Sequence, residues 1–122
     1  MAKKVVTTLP HKSMGHVKDI MKNNNISAVP VINTNEEPVG IITTSDFQKK
    51  VKDSSPVKNH LSGDLYQVPA YNDISVAARI MLKNKIHHVL VTHEGKLVGI
   101  LSSFDLIQLI DDKRFTMKNA PS

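Results

Sequence analysis

The chain has 122 residues, 40% of them apolar and 22% charged, with six histidines and a formal net charge of +5. This is the composition of a folded globular protein, not of a disordered segment. The absence of cysteine excludes disulfide frameworks, thiolate metal sites and cysteine nucleophiles.

The first residues, MAKKVVTTLPHKS, hold no apolar run of signal-peptide length, and no stretch approaches the roughly 18 continuous apolar residues of a membrane span. A cytoplasmic location with no membrane partner is expected. The lysines are dispersed along the chain, which suits a solvated surface and leaves phosphate-bearing ligands open.

Taken in order, VVTTL at 5–9 is a short extended stretch. Ser13 stands where an N-cap belongs, ahead of MGHVKDIMKNNNI at 14–26, whose Met14, Val17, Ile20 and Met21 form the apolar stripe of a helix. AVPVI at 28–32 and VGIIT at 39–43 are strands joined by the polar turn NTNEEP. DFQKKV then leads a closing helix, with the cations of QKKVK at its negative end. SSPVKNHLSGD at 54–64 is a linker in which Pro56 can open a short helical turn.

The same series then returns. LYQVP at 65–69 is extended, Asp73 is a second N-cap, and ISVAARIMLKNKI at 74–86 is a second striped helix. HVLVT, the turn HEGK, VGILS and DLIQLI complete the copy, and KNAPS is a frayed tail. The helices match at an offset of 60 residues and the VGI strands at 59, because the second turn is one residue shorter. The expectation is an α+β fold of two pseudo-symmetric β-α-β-β-α repeats: the first at 1–53, a linker with a short helix at 54–63, the second at 64–117, and a flexible tail at 118–122. Each repeat alone buries little surface, so the two should fold against each other.

These repeats, with NNNISAVPVIN answered by KNKIHHVLVTH and VGIITTSD by VGILSSFD, resemble a tandem pair of CBS (cystathionine-β-synthase-type) motifs, a stand-alone Bateman module. The resemblance covers residues 5 to 112. It implies two sheets packed about a pseudo-twofold axis, with clefts between them that bind AMP, ADP, ATP or S-adenosylmethionine. It also implies pairing into homodimers and regulation of a partner protein in trans. The adenosine nucleotide would be a regulatory ligand, with no cofactor required and no chemistry of the module's own.

The resemblance places ribose or phosphate contacts at Thr43, Asp46, Ser102 and Asp105. A carboxylate can accept both hydroxyl protons of a ribose diol. The same hydroxyl-x-x-Asp spacing is equally that of a capping box, and a cap can be built where a ligand docks. His87 and His88 occupy the place where related modules carry a phosphate-binding basic pair, although the second position is there commonly arginine. Ser27 and Ala28 match them in the first repeat and are not basic, so the two clefts should differ. Leu90 stands where the first repeat keeps Pro30. Thr8, Leu9, Ile26, Val68, Pro69 and Ile86 are candidates for the adenine pocket, or for ordinary strand and core packing.

A metal site from His87, His88 and His93 is disfavoured, because the last lies beyond the strand. No GxSxG elbow, Walker-type loop or HExxH pattern is present, so no enzyme and no metal are expected. The alternatives are a ligand-free dimerisation module and a nucleic-acid-binding module, the latter opposed by dispersed lysines and scarce aromatics.

Overall fold

The computed structural model describes residues 5–61 and 65–112. The expected flexible tail at 118–122 lies outside them, as does part of the junction at 62–64.

Helix α1 spans Met14–Asn24 and α2 spans Ile74–Asn84. Each starts at its expected cap: Ser13 Oγ accepts from the His16 amide at 3.1 Å, and Asp73 Oδ1 from the Ser75 amide at 3.4 Å. Each ends on a left-handed residue, Asn25 at φ 52° and Lys85 at φ 55°. Asparagine tolerates that conformation, whereas lysine adopts it at a steric cost. The internal symmetry thus extends to single backbone angles.

In the first half, β1 (Ala28–Ile32) pairs antiparallel with β2 (Pro38–Thr43). In the second, β3 (Gln67–Pro69) runs parallel to β4 (His88–His93), which pairs antiparallel with β5 (Lys96–Ser102). Pro30 and Leu90 hold equivalent registers, opposite Ile41 and Ile100, and both hairpins shift register at the same step. Replacing proline by leucine leaves the strand shape intact.

Two expected elements are cut short. Residues 5–9 contribute a single parallel bridge, Thr8 to Val31, instead of a strand. Proline explains part of this: the Ala70 amide donates to the Thr92 carbonyl at 2.7 Å, and its counterpart Pro10 has no N–H to give. The first closing helix is also missing. A single 3-10 turn, Thr44–Phe47, stands where the second half has α3, Ser103–Asp112. The run FDLIQLI offers apolar residues at helical spacing, but QKKVK offers only Val51 and cannot hold a helix against the sheet.

The chain after that turn folds back onto the start of α1. The Met14 amide donates to Ser55 O at 2.8 Å and the Gly15 amide to Asp53 O at 2.9 Å. A Cβ on Gly15 would lie 2.9 Å from Asp53 Cβ, so this approach requires glycine. Pro56 caps a second 3-10 turn, Val57–His60, and Val57 is fully buried. Residues 53–61 therefore pack against the first half, with Val57 in its core.

The buried residues form two cores, not one. Met14, Val17, Met21, Val29, Val31, Ile42 and Val57 make the first. Val68, Ala77, Met81, Val89, Val91 and Leu101 make the second. Strand alternation turns Pro30 and Leu90 away from these cores, yet both are fully buried. The halves therefore meet sheet to sheet through their opposite faces. Their turns also meet, with the Leu97 amide donating to Glu36 O at 2.9 Å.

Candidate functional site

Two clefts open between the halves, related by the same internal symmetry. The first, of about 530 Å3, sets Thr43–Asp46 and Ser27 of the first half against Asn84–His88 of the second, with Tyr66 and Leu90. The second, of about 620 Å3, sets Ser102–Asp105 and the His87–His88 pair against Asn25–Ala28. Both fall within the roughly 300–1,000 Å3 typical of small-molecule sites.

Each aspartate sits one turn beyond a strand end, and one of its oxygens is committed to the backbone. The Thr43 amide donates to Asp46 Oδ2 at 2.8 Å, and the Ser102 amide to Asp105 Oδ2 at 2.8 Å. In the second half the cap is reciprocal, because Ser102 Oγ accepts from the Asp105 amide at 3.0 Å. In the first, the Thr43 hydroxyl lies 2.8 Å from Ser45 Oγ and 3.4 Å from Asp46 Oδ2. The cap fixes each carboxylate's rotamer with Oδ2 and leaves Oδ1 without a hydrogen-bond partner among the described residues. The capping and binding roles of the repeated hydroxyl-x-x-Asp string are thus compatible in one side chain.

His87 and His88 line both clefts. His87 is exposed; its Nδ1 lies 3.3 Å from Ser103 Oγ, and its carbonyl accepts from the Ser103 amide at 2.9 Å. His88 is half-buried, and burial, reinforced by the neighbouring His87, lowers its pKa below the ordinary value, with Asp105 opposing. At neutral pH it is therefore a neutral donor or acceptor and not a cation. Ser27 also lines both clefts, and Ala28 borders the second.

The adenine candidates divide. Ile86 lines the first cleft and Ile26 the second. Val68 and Pro69 do not reach either; they line a separate apolar cavity under α2. Thr8 is buried, its Oγ1 has no hydrogen-bond partner among the described residues, and it lines none of these cavities, nor does half-buried Leu9. Thr8 and Val68 have an evident packing role instead, each continuing its own sheet through the parallel pairing.

Sequence reasoning missed several cleft residues. Lys85 enters the first cleft from the left-handed turn that ends α2, and Asn25 occupies the same place in the second. Tyr66 borders the first cleft and Phe104, 63% exposed, the second, so each has an aromatic wall. Lys85 and Asn25 share the left-handed, helix-ending position before Ile86 and Ile26, and no residue pattern in the sequence marks that position as part of a cleft.

Comparison with known proteins agrees with this symmetry. A family model described as CBS domain matches the chain twice, at residues 1–53 and 57–112. An uncharacterized 17.7 kDa protein of Acidianus ambivalens is 31% identical over 113 residues, covering 89% of this chain and 69% of that one. An inosine-5'-monophosphate dehydrogenase of Thermoplasma acidophilum is 33% identical over 104 residues, which are 84% of this chain but 21% of the enzyme. Among solved structures, an uncharacterized conserved protein from Pyrococcus horikoshii superposes with a TM-score of 0.79 at 26% identity, covering 98% of this chain and 92% of that one. A CBS domain protein from Pyrobaculum aerophilum complexed with AMP superposes with a TM-score of 0.77 at 19% identity, covering 91% and 95%.

Proposed function

The chain belongs to the CBS-domain family, and we propose that it is a non-catalytic sensor that binds an adenosine-containing ligand between its two halves and regulates a partner in trans. One observation carries this reading. Each strand end presents a carboxylate already oriented by its cap, with one oxygen unpartnered, facing the polar turn of the opposite half across a cleft of nucleotide size. The unpartnered oxygen suits a ribose diol, Ile86 or Ile26 with the aromatic wall suits adenine, and the histidines suit phosphate. The AMP carried by a protein of the same fold and the likeness to a segment of a much longer dehydrogenase support the class of ligand and a regulatory role.

The first cleft is the better phosphate site. Lys85, His87 and His88 all reach it, whereas Asn25 replaces the lysine in the second. Ligand would shift the protein only through unequal affinity for two arrangements of the halves, and the sheet-to-sheet contact with its joined turns is the element that can rearrange. Leu82, Ile107 and Ile110 are exposed apolar residues on α2 and α3, and they form the face on which the expected homodimer would close.

A thermal-shift panel of AMP, ADP, ATP and S-adenosylmethionine, with GTP as control, tests the proposal. A ligand at 100 times its Kd stabilises by about 2.7 kcal/mol, a Tm rise of roughly 3–6 °C for a domain of this size. No rise with any adenosine compound would reject the sensor in favour of a ligand-free dimerisation module.

A further inference from the structure

The two clefts meet at a common wall. Ser27, His87 and His88 line both, whereas Asp46 lines the first and Asp105 the second. Given the sensor function proposed above, we propose that the clefts are antagonistic for phosphate: a phosphate-bearing ligand in one weakens the binding of a second in the other, because both phosphates draw on the same two histidines.

The wall is built by the segments that leave the two helices. Ser27 follows the left-handed end of α1 and His87 that of α2, and each takes the other's place under the internal symmetry. Residues that border both of two symmetry-related clefts stand beside the axis that relates them. A carboxylate built on a strand end therefore serves one cleft, while a side chain at this axis serves two.

The histidines are committed in ways that make sharing difficult. Nδ1 of His87 lies 3.3 Å from Ser103 Oγ. With that nitrogen engaged, Nε2 is the ring atom left for a phosphate, and one nitrogen serves one phosphate. His88, opposite Ser102 in the hairpin, is half-buried. Burial and the neighbouring His87 hold its pKa below the ordinary value, against the opposing pull of Asp105. The pair thus accepts one proton more readily than two. A 5′ phosphate carries more than one negative charge near neutral pH, so two of them outweigh what the wall supplies. Phosphates drawn to the same imidazoles also approach and repel each other.

The order of filling follows from the helix ends. Lys85 joins the wall in the first cleft where Asn25 joins it in the second, so a nucleotide fills the first and suppresses phosphate binding in the second. A ligand without phosphate escapes the competition. Such coupling is reciprocal, so weakening one cleft must strengthen the other.

The test is nuclear magnetic resonance of the 15N-labelled full chain titrated with AMP and, separately, with adenosine. The Ser45 amide reports the first cleft and the Phe104 amide the second. In wild type, AMP should saturate the Ser45 signal while the Phe104 signal moves little. Asp46→Asn weakens the first cleft, and AMP at the same concentration should then move the Phe104 signal about threefold further or more. Adenosine should move Phe104 equally in both proteins. A Phe104 response to AMP that Asp46→Asn leaves unchanged overturns the antagonism with the sensor function intact, and so does an equal gain with adenosine. No movement of either amide with either compound rejects the sensor function itself, and the antagonism with it.

Discussion

The two halves start from nearly the same string and finish it differently. Both build a capped helix, a left-handed stop, a bulged hairpin and a strand end holding an aspartate. After that aspartate the first half makes one 3-10 turn and lays residues 53–61 across α1, while the second makes a full helix. The difference follows from the polarity of a few residues, QKKVK against LIQLI. It gives the first half a closed core with Val57 at its end, and the second an exposed apolar helix face with a cavity beneath. The clefts differ in a parallel way. Their carboxylates are built alike, but Lys85 stands in one where Asn25 stands in the other, and the histidines lining both clefts, His87 and His88, come from the second half. The repeated frame is the same in both halves, and side chains at a few positions make the halves differ.

The largest effect should come from removing what closes the first core. Val57→Ala should destabilise by about 2 kcal/mol, because it opens a void in a fully buried site. Ile74→Ala in the second half should cost under about 0.5 kcal/mol while its surroundings stay open. Chemical denaturation of both variants measures the contrast, and equal losses would mean that the two cores are equally closed.

Gly40→Ala comes next. An added Cβ would lie 2.6 Å from Leu61 Cδ2, a side-chain atom that can yield at some cost. A loss of about 1–2 kcal/mol is expected from overpacking, and an unchanged denaturation midpoint would show that Leu61 moves aside freely.

Lys85→Ala sharpens the comparison of the clefts. It should weaken AMP binding about threefold to tenfold, or about 0.7–1.4 kcal/mol, and Asn25→Ala should change it much less. Fluorescence titration at fixed ionic strength decides this, since an exposed cation loses influence as salt rises.

The smallest effect is that of pH on stability. Burial lowers the His88 pKa in the fold, so the unfolded chain takes up the proton first, near pH 6.5. The stability held with neutral His88 is fully present above that pH and is lost as pH falls through the lower, folded value. The difference in Tm between wild type and His88→Gln should shift against the wild type on going from pH 7.5 to pH 5.5. A difference constant across that range would show that His88 titrates normally.

The repeat, both caps, all four hairpin strands and the aspartate pair were legible in the sequence because each rests on a local signal. Ser13 and Asp73 mark helix starts, β-branched runs mark strands, and the hydroxyl-x-x-Asp string reports its own hydrogen bond. What depended on distant packing was not legible. Val57 lies in a polar stretch with no periodic partner, and its burial is decided by the carbonyls of Lys12 and Pro10. Lys85 and Asn25 enter the clefts through backbone angles that stop a helix, which no side-chain pattern announces. Thr8, Leu9, Val68 and Pro69 are adenine-pocket candidates in the sequence, but they line neither cleft; Thr8 pairs with Val31, and Val68 and Pro69 pair with Val91 and Thr92.

The most direct test of the account is calorimetric titration of AMP into wild type, Asp46→Asn and Asp105→Asn. Asparagine keeps an oxygen that can accept the cap hydrogen bond and removes the charge that would receive the ribose hydroxyls, so fold and binding are separated. The account predicts binding to wild type, a loss of about tenfold or more in Asp46→Asn, and a lesser change in Asp105→Asn, with all three melting alike when free of ligand. Binding unchanged in both variants, or absent from the wild type, would contradict it.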